Sequence, residues 1–206
     1  MARTHVRAEN RGLASGWRVW RVIRDEEDGL PALASTERDF VWRDRSARAR
    51  CLPPSLHFGV SEWYRDHRRT PDHAPPATVC GCGIHAYWER SDAFGDSTLG
   101  RGTLRAIGPV ELSERMIATE SGVRAEAARI VRPIWLVGEC GITRRDLSVC
   151  GSVTAMDRDT FSLRCSDHAP PGWPDAEPAI WALQQRLEGR YQVEVHSTVK
   201  ISERLD

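Results

Sequence analysis

Residues 103–137, TLRAIGPVELSERMIATESGVRAEAARIVRPIWLV, carry the clearest strand pattern in the chain. Apolar side chains recur through the first half, and a second apolar run follows the Ser-Gly pair at 121–122. Alternation of this kind is typical of half-buried strands, and Ser-Gly between two such runs is typical of a hairpin. Arg124, Glu126 and Arg129 alternate with alanines, which predicts one face toward solvent. The stretch therefore predicts a twisted antiparallel unit.

The strand pattern extends toward the N-terminus. Residues 16–23 alternate apolar and basic side chains, which predicts a strand with Trp17 and Val19 on one face and Trp20 and Val22 on the other. Turn signals and short apolar runs indicate further elements before residue 103. Short strands are predicted at residues 30–34 and 40–42, and a short helix at 84–93. Residues 1–15 are predicted to be a disordered arm.

The last quarter of the chain changes character, because cysteines separate short apolar segments and a proline-rich linker follows. Asp175 is a suitable N-cap for a helix that would run to Glu188 and end at Gly189. A final strand is predicted at residues 191–195. The apolar side chains of the predicted helix share one face, at Ile180, Leu183 and Leu187.

Six cysteines and two histidines form two Cys₃His sets along the chain. Zinc in proteins commonly takes four cysteine and histidine ligands arranged as a tetrahedron. The sets therefore predict one or two zinc ions, with Cys51, His73, Cys80 and Cys82 in the first cluster and Cys140, Cys150, Cys165 and His168 in the second.

The spacing within each cluster differs. In the first, Cys-Gly-Cys supplies two thiols one residue apart, and a long proline-rich loop between Cys51 and Cys80 needs a brace. His73 is preferred as the fourth ligand because prolines fix the chain beside it; the competing histidines are His57, His67 and His85. In the second cluster a C-x-x-H end follows a predicted strand, and two separate turns must converge on it.

Composition restricts compartment and partners. The chain of 206 residues has 29 basic and 29 acidic residues, so it lacks the bulk charge that attracts nucleic acid. The Arg-rich N-terminus lacks the apolar stretch of a signal peptide, and no segment approaches the roughly 18 apolar residues of a membrane span. A cytoplasmic location is expected. Thiols stay reduced there, and clustered cysteines more often bind metal than form disulfides.

Together these patterns predict an α+β fold, in which a mainly antiparallel sheet has zinc-braced loops and a C-terminal helix. Three parts are expected along the chain. They are a disordered arm at 1–15, a β-rich domain with the first Cys₃His cluster at 16–137, and a smaller Cys/His unit with the C-terminal helix and strand at 138–206.

Several motifs together resemble a family of uncharacterised proteins from high-GC Gram-positive bacteria and their phages. The motifs are Gly16-Trp17-Arg18-Val19-Trp20, Cys51, His73-Ala74-Pro75, Cys80-Gly81-Cys82-Gly83-Ile84-His85-Ala86 and Arg124-Ala125-Glu126-Ala127. The family pattern has H-x-A-P, a tyrosine at position 85 and Trp-Gly at 113–114, where this chain departs from it. The resemblance supports His73 as a zinc ligand and implies no activity.

Three functions are compatible with these features. A zinc-stabilised, non-enzymatic module that binds a protein partner is preferred, with Trp63 and Trp173 expected as exposed aromatic anchors. RNA or DNA binding is the alternative, through a local patch that stacks bases and contacts phosphates. The patch comprises Trp63, Tyr64, Arg65, Arg68 and Arg69. A metal-dependent hydrolase is the second alternative, but it needs an open coordination position, whereas each set has four ligands.

Overall fold

The computed structural model of the protein describes residues 8–36, 40–51, 73–78, 81–95, 102–131, 133–141, 150 and 152–199. Within these residues the chain forms eleven strands and two helices. The strands are β1 (Ala8–Arg24), β2 (Pro31–Ala34), β3 (Val41–Trp42), β4 (Ser46–Arg48), β5 (Ile84–Tyr87), β6 (Arg105–Ala118), β7 (Gly122–Ile130), β8 (Ile134–Val137), β9 (Ala155–Met156), β10 (Leu163–Arg164) and β11 (Val195–Ser197). The helices are α1 (Arg90–Gly95) and α2 (Ala176–Tyr191).

Nine of these strands form one sheet, in the order β11-β8-β6-β7-β5-β1-β2-β3, with β4 paired to β7. β1 also pairs with β6, over fourteen residues from Ala8↔Ala118 to Arg21↔Arg105. This pairing joins β1, β6, β7 and β5 into a closed ring. Every pairing in the sheet is antiparallel except that of β11 with β8. The predicted fold class, a mainly antiparallel sheet with a C-terminal helix, is confirmed.

The predicted alternation along β1 divides its side chains between two apolar clusters. Trp20 and Val22 lie in the main core, where the Trp20 and Trp42 rings meet edge to face at 5.5 Å between centroids. Trp17 and Val19 lie on the opposite face of the sheet, in a smaller cluster beneath α1. Buried aromatic side chains contribute strongly to stability through their large apolar area.

The predicted disordered arm overlaps β1, which begins at Ala8. Residues 8–15 pair with residues 111–118 of β6 through the backbone, so their lack of apolar periodicity does not prevent strand formation. Residues 84–87 are also a strand rather than the start of a helix, because they pair with β7 from Ile84↔Ala125 to Tyr87↔Gly122. The helix in this region is limited to α1.

The last quarter of the chain shares the main sheet and the main core. β11 extends the sheet beside β8, and the predicted apolar face of α2 is buried in the same cluster as Trp20. The predicted boundary at residue 138 therefore does not divide the apolar core. Residues 152–164 add a two-stranded sheet of β9 and β10.

Helix α2 continues past Gly189 because tertiary contacts hold its last turn. The Arg190 guanidinium is 3.0 Å from the buried Asp25 carboxylate. The Tyr191 hydroxyl donates to the Trp42 carbonyl and accepts a 2.8 Å hydrogen bond from the Leu33 amide. The helix ends at Tyr191, and the C-cap residue Gln192 has the left-handed conformation common at helix C-termini.

We expect Tyr191→Phe to reduce the free energy of unfolding by about 1–3 kcal/mol, because it leaves a buried carbonyl and a buried amide without their shared partner. Urea unfolding of the two proteins measures this difference. The control is Trp181→Phe on the exposed side of the same helix, for which we expect a change within about 0.5 kcal/mol. Equal stability of Tyr191→Phe and the wild type would contradict the role given to the hydroxyl.

Candidate metal centre

The structure brings together all four predicted residues of the second cluster. One ligand atom from each of Cys140, Cys150, Cys165 and His168 lies within 4.8 Å of the others. His168 Nδ1 is 3.1 Å from the Cys165 sulfur, 3.4 Å from the Cys150 sulfur and 3.8 Å from the Cys140 sulfur. The three thiols are buried and the histidine is half-buried. A group of this composition could hold a metal ion.

Two strand ends position this cluster. Cys140 follows β8 by three residues, and Cys165 comes directly after β10. The amides of His168 and Ala169 both donate to the Cys165 carbonyl, at 3.1 and 2.9 Å, and so form a tight turn that places the imidazole beside the Cys165 sulfur. The predicted C-x-x-H end thus corresponds to a hydrogen-bonded turn.

Gly102 allows the close approach of two backbone segments beside Cys140. Its φ is +83°, and a Cβ built there would lie 2.5 Å from the Gly141 Cα. A larger residue would therefore meet both backbone strain and a steric clash. The Gly102 carbonyl also accepts a 2.8 Å hydrogen bond from the Leu163 amide, which connects this contact to β10.

Burial controls the chemistry of the second cluster. In the protein chain alone, burial, followed by the hydrogen bond with the Cys150 thiol, raises the pKa of the Cys165 thiol to about 11. The thiolate is the form that binds metal, and a divalent cation stabilises that form. Metal binding here must release thiol protons, so affinity should fall as the pH is lowered.

Three residues of the first cluster are close together in the described structure. His73 Nε2 lies 3.2 Å from the Cys51 sulfur and 3.2 Å from the Cys82 sulfur. Cys80, the fourth predicted ligand, lies outside the described residues. Among the competing histidines, His57 and His67 also lie outside them, and His85 is exposed with its Nε2 3.0 Å from the Gly81 carbonyl.

Two arginines hold the loop of the first cluster, and sequence reasoning missed both. Arg124 was expected on a solvent-facing surface, but it is buried and donates to the carbonyls of Cys82 and Ala77 at 3.2 and 3.3 Å. Arg115 donates to the carbonyls of Pro75, at 3.0 Å, and Ala74. These bonds attach the ligand-bearing loop to β6 and β7.

A β-bulge in β6 accompanies the Arg115 contacts. Ser113 pairs with Ala127 and Met116 with Ala125, so Glu114 and Arg115 together oppose the single residue Glu126. Glu114 has a φ of +70°. Bulges bend a strand and redirect its side chains. The available signal in the sequence was an arginine interrupting the apolar alternation at 112–117, which by itself does not reveal its partner.

The predicted nucleic-acid patch lies outside the described residues; it comprises Trp63, Tyr64, Arg65, Arg68 and Arg69. The same holds for the prediction that Trp63 is an exposed aromatic anchor. Trp173, the other expected anchor, is half-buried with the Arg164 guanidinium 5.8 Å from its ring. Trp181 is the tryptophan that is 65% exposed. The helical periodicity of α2 places Trp181 on the side facing away from the core.

No helix in the described part of the chain is long and apolar enough to cross a membrane.

The cysteines and histidines that the sequence singled out form two groups that could hold metal ions, of four and of three described residues. Comparison with protein-family models, with curated proteins and with solved structures finds no match to this chain.

Proposed function

We propose that this chain is a zinc-stabilised, non-enzymatic binding module that acts in the cytoplasm and binds a protein partner. The observation that carries the proposal is the convergence of three thiols and one imidazole from separate chain segments, with their ligand atoms within 4.8 Å of one another. Buried polar groups need partners. A shared metal ion would provide one for all four.

The donor atoms and their spacing favour zinc. Zinc–sulfur bonds of about 2.3 Å and zinc–nitrogen bonds of about 2.0–2.1 Å place sulfur and nitrogen about 3.5 Å apart around a tetrahedron. The three sulfur–nitrogen distances to His168 are 3.1, 3.4 and 3.8 Å, on both sides of this value. Calcium and magnesium prefer oxygen ligands, which this cluster does not offer.

A full set of four protein ligands supports bracing rather than catalysis. Catalytic zinc keeps a coordination position for water or substrate, whereas structural zinc is closed by four residues. In the first cluster, Cys80 as the fourth ligand would close the site in the same way. A metal-dependent hydrolase would instead require Cys80 to stay away from the ion, so that water could bind.

We expect native mass spectrometry of the purified full chain to find two zinc ions. Cys80→Ser and His73→Ala should each lower the count to one, and His85→Ala should leave it at two. Cobalt substitution then reports the number of thiolates at each site through its charge-transfer absorption. A folded protein without metal and with six titratable thiols would rule out both sites. A cobalt spectrum of two thiolates at the first site would favour the hydrolase.

A further inference from the structure

The face of the sheet opposite the main core carries an aromatic cluster. The Trp17 and Trp135 rings are 5.6 Å apart, and Phe94 of α1 packs with them. These side chains are half-buried, so part of each ring remains at the surface. We call Trp17, Phe94, Trp135 and the exposed Arg90 the aromatic–arginine face.

Arg90 lies across this cluster. Its guanidinium carbon is 4.9 Å from the Trp135 ring centre, 5.0 Å from that of Phe94 and 5.4 Å from that of Trp17. In contrast, Arg43, Arg48, Arg129 and Arg190 all form ion pairs with carboxylates. Among the described residues, the Arg90 guanidinium forms no ion pair or hydrogen bond, and it lies against these rings.

Stacking prepares Arg90 to bind a carboxylate. A guanidinium stacked on aromatic rings keeps its N–H donors, which match a carboxylate in a bidentate pair. Because the rings already restrict the side chain, less conformational entropy is lost when it pairs. The geometry therefore makes Arg90 a preorganised anion-binding group at the edge of an apolar surface.

Charges of both signs lie around this cluster. Arg21 and Arg105 stand opposite each other on β1 and β6, and Glu89 and Asp92 flank Arg90 at the start of α1. The paired segments 17–21, 105–109 and 135–137 contain no aspartate or glutamate. Within the described residues no carboxylate pairs with Arg90, so an acidic partner would supply its counter-ion.

We infer that the aromatic–arginine face binds a protein segment in which an acidic residue lies next to an apolar one. The inference rests on the proposed function, since it names the partner class of the binding module. Tryptophan and arginine are the residue types that most often dominate protein interfaces. Nucleic acid fits less well, because the formal net charge is zero and Arg90 already lies over the rings on which bases would stack.

Selection from a phage-displayed random peptide library on the zinc-loaded full chain tests the inference. We expect the enriched peptides to combine aspartate or glutamate with a neighbouring apolar residue. A labelled synthetic copy of the most enriched peptide then serves as the probe in fluorescence anisotropy. Arg90→Ala should weaken its binding at least about 30-fold, which corresponds to the 2 kcal/mol typical of a dominant interface residue.

Two further variants distinguish the effect of the planar Arg90 guanidinium from the effect of its positive charge. Arg90→Lys keeps the charge without the planar fork, so its affinity should fall between those of the wild type and Arg90→Ala. Arg186→Ala removes an exposed arginine from α2 and should leave affinity within about twofold of the wild type, as surface changes away from the interface do. Equal binding by Arg90→Ala and the wild type would overturn the inference.

Two other outcomes would also overturn it: enriched peptides without acidic residues, or tight binding of a labelled single-stranded oligouridylate that Arg90→Ala abolishes. Zinc content is measured on every sample. Loss of zinc from the wild-type protein would count against the proposed metal sites, whereas a zinc-loaded protein that selects no acidic peptide would count against the partner class alone.

Discussion

Cys165→Ser is expected to bind one zinc ion fewer than the wild type and to unfold at a markedly lower temperature. Cys165 lies closest to His168, and its thiol belongs to the buried trio with Cys140 and Cys150. An ion that binds only the folded state adds about 4 kcal/mol of stability when its free concentration is about a thousand times Kd. For a chain of this size, that corresponds to a fall in Tm of about 8–16 °C.

Thermal unfolding at fixed free zinc, combined with native mass spectrometry, measures this effect. Ser166→Ala is the matched control, because it changes the exposed neighbour of Cys165 and should leave both zinc count and Tm unchanged. A chelator should lower the Tm of the wild type more than that of Cys165→Ser, which has one ion fewer to lose. Identical Tm values for the two proteins, with and without zinc, would contradict a structural ion at the second cluster.

Alternation along the chain predicted the long strands, because a strand such as β6 buries one face more deeply than the other. The run at 103–137 becomes β6, β7 and β8, with the predicted turn between β6 and β7. Along β1, Trp20 and Trp17 point into separate apolar clusters, as their positions in the sequence indicated. In these segments local pattern and tertiary burial agree.

Where backbone pairing decided the structure, the sequence was misleading. The first half of β1 is stabilised by hydrogen bonds to β6, which any residue except proline can donate. Residues 84–87 were assigned to a helix, but their pairing with β7 makes them a strand. Gly189 is a predicted helix terminator, yet the contacts of Tyr191 extend α2 by three residues beyond Glu188.

The ligand types of the candidate metal centre could be predicted from residue chemistry, whereas its surroundings could not. The gaps between Cys140, Cys150 and Cys165 do not indicate whether the three thiols converge; the ends of β8 and β10 determine that. Arg115 and Arg124 contact the first cluster's loop from 40 or more residues away in sequence. Such contacts depend on the register of the whole sheet.

Asp25→Asn is expected to reduce the free energy of unfolding by about 3–5 kcal/mol, the usual cost of removing one member of a buried ion pair. Asp25 is 1% exposed and lies 3.0 Å from the guanidinium of Arg190, whose side chain is 10% exposed. Arg43 also contacts it at 3.0 Å, from a more exposed position. The substitution keeps the side-chain shape but removes the buried counter-ion of Arg190, which then keeps only the more exposed Asp28 carboxylate at 3.2 Å.

The stabilisation by Asp25 should depend on pH in a direction that its environment determines. The hydrogen bond from Arg43, which outweighs the opposing effect of burial, holds the pKa of Asp25 below its usual value of 3.8. A carboxylate whose pKa is lower in the folded than in the unfolded state stabilises the fold above the unfolded pKa. This stabilisation is lost as the pH falls through the folded pKa. The difference between wild type and Asp25→Asn should be largest near neutral pH and shrink below about pH 4.

Urea unfolding of both proteins at each pH separates this effect from metal release, because acid also protonates the cysteine ligands of both proteins equally. Asp159→Asn is the matched control: its carboxylate is 83% exposed and pairs with Arg24 at 3.0 Å. An exposed pair contributes at most about 1 kcal/mol, so this variant should remain close to wild type throughout. If the two variants had equal free energies of unfolding at neutral pH, the idea that burial makes the Asp25 ion pair more stabilising than an exposed one would be wrong. The link between the β1–β2 turn and the end of α2 would then rest on Tyr191, on the contacts of Arg190 with Asp28 and the Pro31 carbonyl, and on apolar packing.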